Sequence, residues 1–427
     1  MQPIEIKGVG NTVYRETLPC GLDVILIPNA KENTKKNYYV NYGVYYGADN
    51  NEFIPYQKKQ MHSFAPGIAH FLEHKMFEME DGTTPFNFYS ETGTYVNAYT
   101  SYRSTCYVIS GSKSLKENLK YLFRLVANPY FTDENVAKEQ GIIQEEIHMR
   151  DDDPDYLAMK ILRKNMFHHL PEKIPVIGSV ESIQKITKED LYTAYRTFYR
   201  PKNMFLVISG CFDKEEIYQT ILDATKKFPQ DFTPCTKKYH EPVKVVKEYE
   251  EQTSDIKIEK LAIGYKMKRA DLSIKDDILL DLYTNMLISL NFGSTSTFFE
   301  QMKENHILIR CGYTVQTEGE IRTFVVETDT TRSAQFIKCL EEKLQDLTIT
   351  EEDMERMKKV WISGEVVKSD YADALLDSFV DDLVTYRDIV VNYIEKIRSM
   401  NIETMRTLIK ELDFSNRSIA KVLPQNE

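Results

Sequence analysis

Positive charge is in deficit in this chain: 54 Lys and Arg stand against 65 Asp and Glu, a net −11 over 427 residues. A nucleic-acid binder carries a basic balance or a basic stripe, and neither is present. The same deficit makes an anionic membrane surface a poor partner. Long apolar runs are missing as well, since no stretch approaches the ~18 residues of a membrane-spanning helix. The opening residues Met1 to Ile6 lack the basic segment followed by an apolar one that marks a secretory signal. The six cysteines (Cys20, Cys106, Cys211, Cys235, Cys311, Cys339) lie far apart with no Cys-x-x-Cys pair. That spacing suits reduced, buried thiols in a cytoplasm better than a disulfide framework or a thiolate zinc site. These absences lead us to expect a soluble, cytoplasmic protein without nucleic-acid or membrane partners.

What is present is the composition of a globular protein, with 42% hydrophobic and 28% charged residues, in a chain long enough for two domains or more. Residues 228–238 carry two prolines and no periodicity, so they read as part of a linker over 229–245, between domains at 1–228 and 246–427. Strand-like runs occur at 24–27, 38–44 and 204–209. Ser114 to Glu117 has the form of a capping box ahead of Leu119, Leu122, Phe123 and Val126 at helical spacing. The second half replays the first. Thr132-Asp133-Glu134 and Thr350-Glu351-Glu352 each open a long charged helix, and Ser182 to Ile186 is answered by Tyr393 to Ile397. The expected fold class is α+β, with two similar domains in tandem, each a mixed sheet packed by helices. In the second half, Thr297 to Gln301 stands where His70 to His74 stands in the first and carries no imidazole.

His70-Phe71-Leu72-Glu73-His74 holds the densest chemistry. On a helix, residues three and four apart are neighbours, so His70, Glu73 and His74 project together. Two imidazoles at this spacing can hold Zn²⁺ at ~2.0–2.1 Å, and the free carboxylate between them can act as a base. The spacing predicts a helix beginning near Pro66, with Ser63 as a cap upstream. A catalytic zinc takes three protein ligands, and the candidates for the third are Glu139, Glu145 and Glu146. At about 100° per residue, Glu139 and Glu146 share a face with Ile142 and Ile143, while Glu145 points elsewhere. Two carboxylates on a half-buried face call for a positive partner.

The inverted order His-x-x-Glu-His, with its surroundings, resembles the pitrilysin-type inverzincin peptidases, which include insulysin and the mitochondrial processing peptidase. The resemblance rests on Gly67 to Phe77, Val96-Asn97-Ala98-Tyr99-Thr100-Ser101, Thr105-Cys106-Tyr107, Asn128-Pro129-Tyr130-Phe131, Glu139 to Ile147, and Phe198 to Met204. It implies zinc held by His70, His74 and Glu146, Glu73 as the general base, and Glu139 as the carboxylate that orients a ligand imidazole. It also implies that Asn97, Ala98 and Tyr99 lie on an edge strand that takes the substrate as an added strand. Members of the family hold the scissile carbonyl with an Arg and a Tyr from a second-half domain. Tyr313 fits that pattern, but Lys303 stands at the Arg position and Arg310 is out of register. Lys lacks the planar fork of Arg. The departure resembles half-length members that form one half of a peptidase clamp and work in pairs. The expected partners are therefore a peptide substrate and a second subunit, either a paralogue lacking the zinc motif or a copy of this chain.

The expected activity is zinc-dependent endopeptidase cleavage of peptides or unfolded segments, with processing of a precursor peptide as one assignment. The alternative is a non-catalytic peptide-binding or assembly subunit of the same family. His168 and His169 read as a solvated helix end, His148 follows the ligand helix, His62, His240 and His306 lack spaced partners, and residues 49–62 read as a polar loop ahead of the motif.

Overall fold

The computed structural model describes residues 1–28, 36–229 and 232–425. They divide into two compact units. The first comprises residues 1–147, 175–237 and 364–393, and the second 148–174, 238–363 and 394–427. The contiguous domains expected from the sequence are thus interleaved, although one crossing, at 237/238, lies inside the expected linker.

The first unit is built on a seven-stranded sheet in the order Gln2–Glu5, Thr12–Thr17, Asp23–Pro28, Met204–Gly210, Tyr38–Val44, Thr105–Gly111, Tyr95–Thr100. Asp23–Pro28 runs parallel to Met204–Gly210, and every other pair is antiparallel. The second unit carries a five-stranded sheet in the order Tyr249–Ser254, Arg417–Pro424, Glu259–Lys268, Ile321–Thr330, Arg310–Glu318, again with only its first pair parallel. Stripped of its two N-terminal strands, the first sheet has the order and directions of the second. The duplication read from helix spacing is therefore a duplication of topology. It also moves one correspondence. The first helix after the second shared strand is Ile68–Lys75 in one unit and Asp277–Phe292 in the other. The segment answering the motif is therefore in that helix, not Thr297–Gln301, and it too has no histidine.

The interleaving follows from burial on both faces of each sheet. Alternate side chains of a strand face opposite ways. Val24 and Leu26 join one apolar cluster while Ile25 and Ile27 join another. Every residue of Met204–Gly210 is buried, as expected of a strand covered on both sides. The second face of this sheet is covered by Leu375, Leu376, Phe379, Val380 and Leu383 of helix Ala372–Tyr386, which comes from the far end of the chain. Each such side chain contributes roughly 1.5–3 kcal/mol when fully buried. Reciprocally, Leu157, Ile161, Leu162 and Met166 of helix Pro154–Met166 cover the second unit's sheet against Ala262, Val325 and Val422. Gly264 is where that helix comes closest. A Cβ there would lie 2.2 Å from the Met166 sulfur.

Three local expectations are corrected. Helix Leu115–Ala127 forms, but Ser114 has φ 57° and makes no side-chain cap, so the box pattern is present without its geometry. Residues 49–62 are more than a polar loop. Glu52–Ile54 and His62–Ser63 join Cys235–Thr236 in a three-stranded sheet, and Phe53 is fully buried against Phe64 and Phe198. The linker is also partly ordered. Glu241 accepts hydrogen bonds from the backbone N–H groups of His168, His169 and Leu170 and pairs with the buried Lys266 Nζ at 2.7 Å. That carboxylate gathers the chain where helix Pro154–Met166 ends, so His168 is tied down rather than merely solvated. Gln230 and Asp231 lie outside the described residues.

Asp382, 2% exposed on the covering helix, accepts from the Tyr393 hydroxyl at 2.7 Å and the Val390 N–H at 2.9 Å. Burial pushes its carboxyl up to about 7, and these two donors only partly oppose it. The folded value lies above the ordinary 3.8, so its contribution is complete below that value and is lost as pH rises through about 7. Asp382→Asn is expected to flatten the fall in Tm between pH 5 and pH 8 by on the order of 5 °C, as read by calorimetry.

Candidate active site

The motif helix Ile68–Lys75 starts at Gly67, whose φ of 93° is readily reached only by glycine. A Cβ there would stand 2.5 Å from the Ile177 carbonyl oxygen. Ser182 Oγ donates to the Pro66 carbonyl at 2.8 Å, which fixes the entry to the helix. No side-chain cap is made. Ser63, the expected cap, lies in the short strand His62–Ser63 instead. Ile68, Phe71, Leu72 and Met76 are buried and anchor one face, which leaves His70 and His74 to turn toward the long helix Asp133–Asp151.

That helix brings Glu146 to the imidazoles. His70 Nε2 stands 3.9 Å and His74 Nε2 3.6 Å from the same Glu146 oxygen, and the three ligand atoms lie within 4.8 Å of one another. Ligands held tetrahedrally at ~2.1 Å from zinc are roughly 3.4 Å apart. Two imidazoles and one carboxylate are donor types that bind Zn²⁺. Among the described residues it is the one such group of three or more His, Cys, Asp or Glu.

Glu139, 6% exposed, sits seven residues before Glu146 and receives His74 Nδ1 at 3.0 Å. This bond commits Nδ1 as a donor and leaves Nε2 free to ligate. Burial disfavours the charged imidazolium, but the Glu139 hydrogen bond and the charges of Glu73, Glu139 and Glu146 outweigh it and raise the His74 pKa. On Glu139, burial is likewise outweighed, by His74, Lys75 and Lys138, and its carboxyl is held below the usual range. Lys75 is fully buried. It reaches Glu139 Oε2 at 3.8 Å, Glu78 at 2.6 Å and the Asn135 carbonyl at 3.2 Å. The helical-phase argument is corrected at one position: Ile143 is buried, but Ile142 is 47% exposed.

Glu73, 8% exposed, accepts a hydrogen bond from Thr100 Oγ1 at 2.9 Å. Thr100 in turn meets Thr105 Oγ1 at 3.3 Å, and Thr105 donates to the Tyr46 carbonyl at 2.9 Å. The sequence reading included Thr100 in its strand without a role for it. The available signal was alternation, which puts Val96, Ala98 and Thr100 on one face of the strand. We expect Thr100→Val to lower kcat by about 10-fold or more with bound zinc and KM nearly unchanged. Thr100→Ser should restore the rate in a peptide-cleavage assay.

Among the described residues, Tyr95–Thr100 is the last strand of its sheet and pairs only with Thr105–Gly111. Asn97 is exposed, and its side chain bonds the Tyr95 hydroxyl at 2.9 Å and its neighbour's N–H, that of Ala98, at 2.9 Å. Tyr99 is 43% exposed, with its hydroxyl 3.3 Å from Asn41 Nδ2. Tyr313 belongs to the second unit, half-buried on that sheet's own edge strand Arg310–Glu318. Lys303 is exposed near the end of helix Thr297–Glu304. Arg310 is engaged within its own unit by Asp155 at 2.8 Å and Asp329 at 3.2 Å.

Over its whole length the chain is 31% identical, across 441 aligned positions covering all of both proteins, to the uncharacterised zinc protease YmfH of Bacillus subtilis. Residues 62–180 match the family profile described as Insulinase (Peptidase family M16), and residues 185–360 match the one described as Peptidase M16 inactive domain. The chain belongs to peptidase family M16. The crystal structure of an M16-like peptidase from Alicyclobacillus acidocaldarius superposes with a TM-score of 0.89 at 28% identity, covering 97% of this chain and 99% of that one. The M16 likeness extends to the Arabidopsis thaliana protein named mitochondrial-processing peptidase subunit beta, 27% identical over 39% of this chain and 32% of that protein. Its M16 relatives in Bacillus subtilis and Rickettsia bellii are named zinc proteases. Among the described residues no helix is long and apolar enough to cross a membrane.

Proposed function

We propose that this M16 chain is a zinc endopeptidase acting on peptides or unfolded segments, and that it is the catalytic half of a paired assembly. The observation that carries the reading is the convergence of His70, His74 and Glu146 with Glu73 buried on the same helix. His70, His74 and Glu146 would hold the metal, with Glu139 fixing the His74 ring. Zinc, when bound, supplies a Lewis acid that acidifies water and polarises the peptide carbonyl. Glu73, steadied by Thr100, takes a proton from the attacking water. As the C–N bond breaks, it delivers that proton to the leaving amine nitrogen. The open edge of Tyr95–Thr100 offers backbone N–H and C=O groups to an extended peptide, a mode of holding that is nearly blind to sequence.

The pairing rests on the second half. Lys303 occupies the position of the family's gripping Arg, and Arg310 is already held by two carboxylates. A paralogue that carries the Arg would bring Arg and Tyr to the substrate, whereas a copy of this chain would bring Tyr313 with Lys303. The test is to measure bound zinc and cleavage of a quenched peptide by the purified chain, alone and with a paralogue lacking the zinc motif. One zinc per chain with cleavage, unaided or on addition of the paralogue, is the expected outcome. A chain that binds no zinc would sink the proposal. Zinc without turnover under either condition would assign it to the non-catalytic subunits.

A further inference from the structure

Within the second unit a cleft of about 750 Å³ opens where helix Ser333–Gln345, helix Ile402–Glu411 and the segment 412–417 meet the sheet. This is the size of a small-molecule site. Tyr265 lines it. The residue is 1% exposed, with its ring packed against those of Phe324 and Phe414, and among the described residues its hydroxyl has no hydrogen-bond partner. Burial pushes that hydroxyl up to about 12 against the pull of the Arg417 charge, so it stays a neutral donor. Arg417 lies directly across the ladder from Tyr265 and pairs with Glu341, which also lines the cleft.

The duplicated topology shows that the fold does not require this pair. In the main sheet of each unit the strand latest in the chain begins with a residue preceded by Asn and set opposite a residue preceded by Gly: Met204 after Asn203 faces Val44 after Gly43, and Arg417 after Asn416 faces Tyr265 after Gly264. In the first unit the facing residues, Val44 and Met204, are apolar and at most 3% exposed. In the second they are a tyrosine and an arginine, and a cleft stands beside them. The lining also mixes charges, with Lys244 and Arg417 beside Glu248, Glu341 and Asp413, over Leu344, Ile409 and Phe414. A simple anion would meet three carboxylates there, and a simple cation would meet the guanidinium.

We propose that this cleft binds a zwitterion with an apolar side chain, a hydrophobic amino acid or short peptide with both termini free. The carboxylate goes to Arg417 and the Tyr265 hydroxyl, the ammonium to Glu341, and the side chain against Phe414 and Leu344. A short peptide is what an endopeptidase makes as well as what it consumes, so the site would report product. Binding itself does not depend on the proteolytic reading.

The test uses the full chain carrying Glu73→Gln, so that the probe is not hydrolysed, with the dipeptide Leu-Leu followed by calorimetry and ligand-detected NMR. Leu-Leu is expected to bind, with acetyl-Leu-Leu and Leu-Leu amide each weaker by about tenfold. Tyr265→Phe should weaken Leu-Leu about fivefold, and Arg417→Met, the residue the first unit carries at that place, about tenfold or more. Circular dichroism should show both variants folded. Three outcomes would each overturn the proposal: no binding at millimolar Leu-Leu, binding indifferent to both substitutions, or binding abolished by chelating zinc, which would place the dipeptide at the metal centre.

Discussion

Glu73→Gln is expected to lower kcat for peptide cleavage by roughly 10²–10⁴-fold, the usual range for a lost general acid–base, while bound zinc and Tm stay at wild-type values. Glutamine has the shape of glutamate, and its amide oxygen can still accept the Thr100 hydroxyl that now reaches Glu73 at 2.9 Å. What it loses is the capacity to take and return a proton. The three ligand atoms belong to His70, His74 and Glu146, so a neutral residue at 73 leaves the metal set complete. Zinc by atomic absorption and turnover of a quenched peptide, measured on the same preparation, separate the two roles. If Glu73→Gln cleaved as fast as the wild type, the proton would have to travel by another group, and the mechanism given to Glu73 would be wrong. If zinc fell together with rate, Glu73 would be a ligand or a structural support rather than a base.

The pairing of Glu139 with Glu146 was legible in the sequence because it is a property of one helix. Seven residues are nearly two turns, so two side chains at that spacing must share a face wherever the helix docks. The same holds for His70, Glu73 and His74. Thr100 was not legible as Glu73's partner, because that contact depends on how a strand and a helix far apart in sequence are set against each other. Alternation in 95–100 says which residues share a face, not what the face meets. Helices Pro154–Met166 and Ala372–Tyr386 make the point at larger scale. Their apolar spacing announces a buried side, but nothing local says that each covers the sheet of the other half of the chain. Ile142 shows the limit of helical phase itself: it lies within a turn of the buried Ile143, yet is 47% exposed. Ser114 shows the limit of a pattern, since the residues of a capping box were present and the backbone there took a left-handed conformation instead.

His74→Ala is expected to reduce zinc affinity by roughly 100-fold or more, because it removes one of three ligands and the group that links the site to Glu139. Glu139→Gln removes only the orienting partner and should cost about 10–100-fold. The two substitutions also differ in what they do to the metal-free protein. In His74→Ala the Glu139 carboxylate, 6% exposed, loses its 3.0 Å partner and keeps Lys75 at 3.8 Å as its nearest positive charge. A buried acceptor stripped of its donor costs about 1–3 kcal/mol. Adding Glu139→Gln to His74→Ala removes the stranded charge, so the double variant should be more stable than the single one when both are stripped of zinc. Denaturant unfolding of the four metal-free proteins closes the cycle and isolates the coupling. Additive effects would mean that the His74–Glu139 bond contributes no coupling to the fold. A negligible zinc defect in Glu139→Gln would mean that His74 needs no orienting carboxylate to ligate.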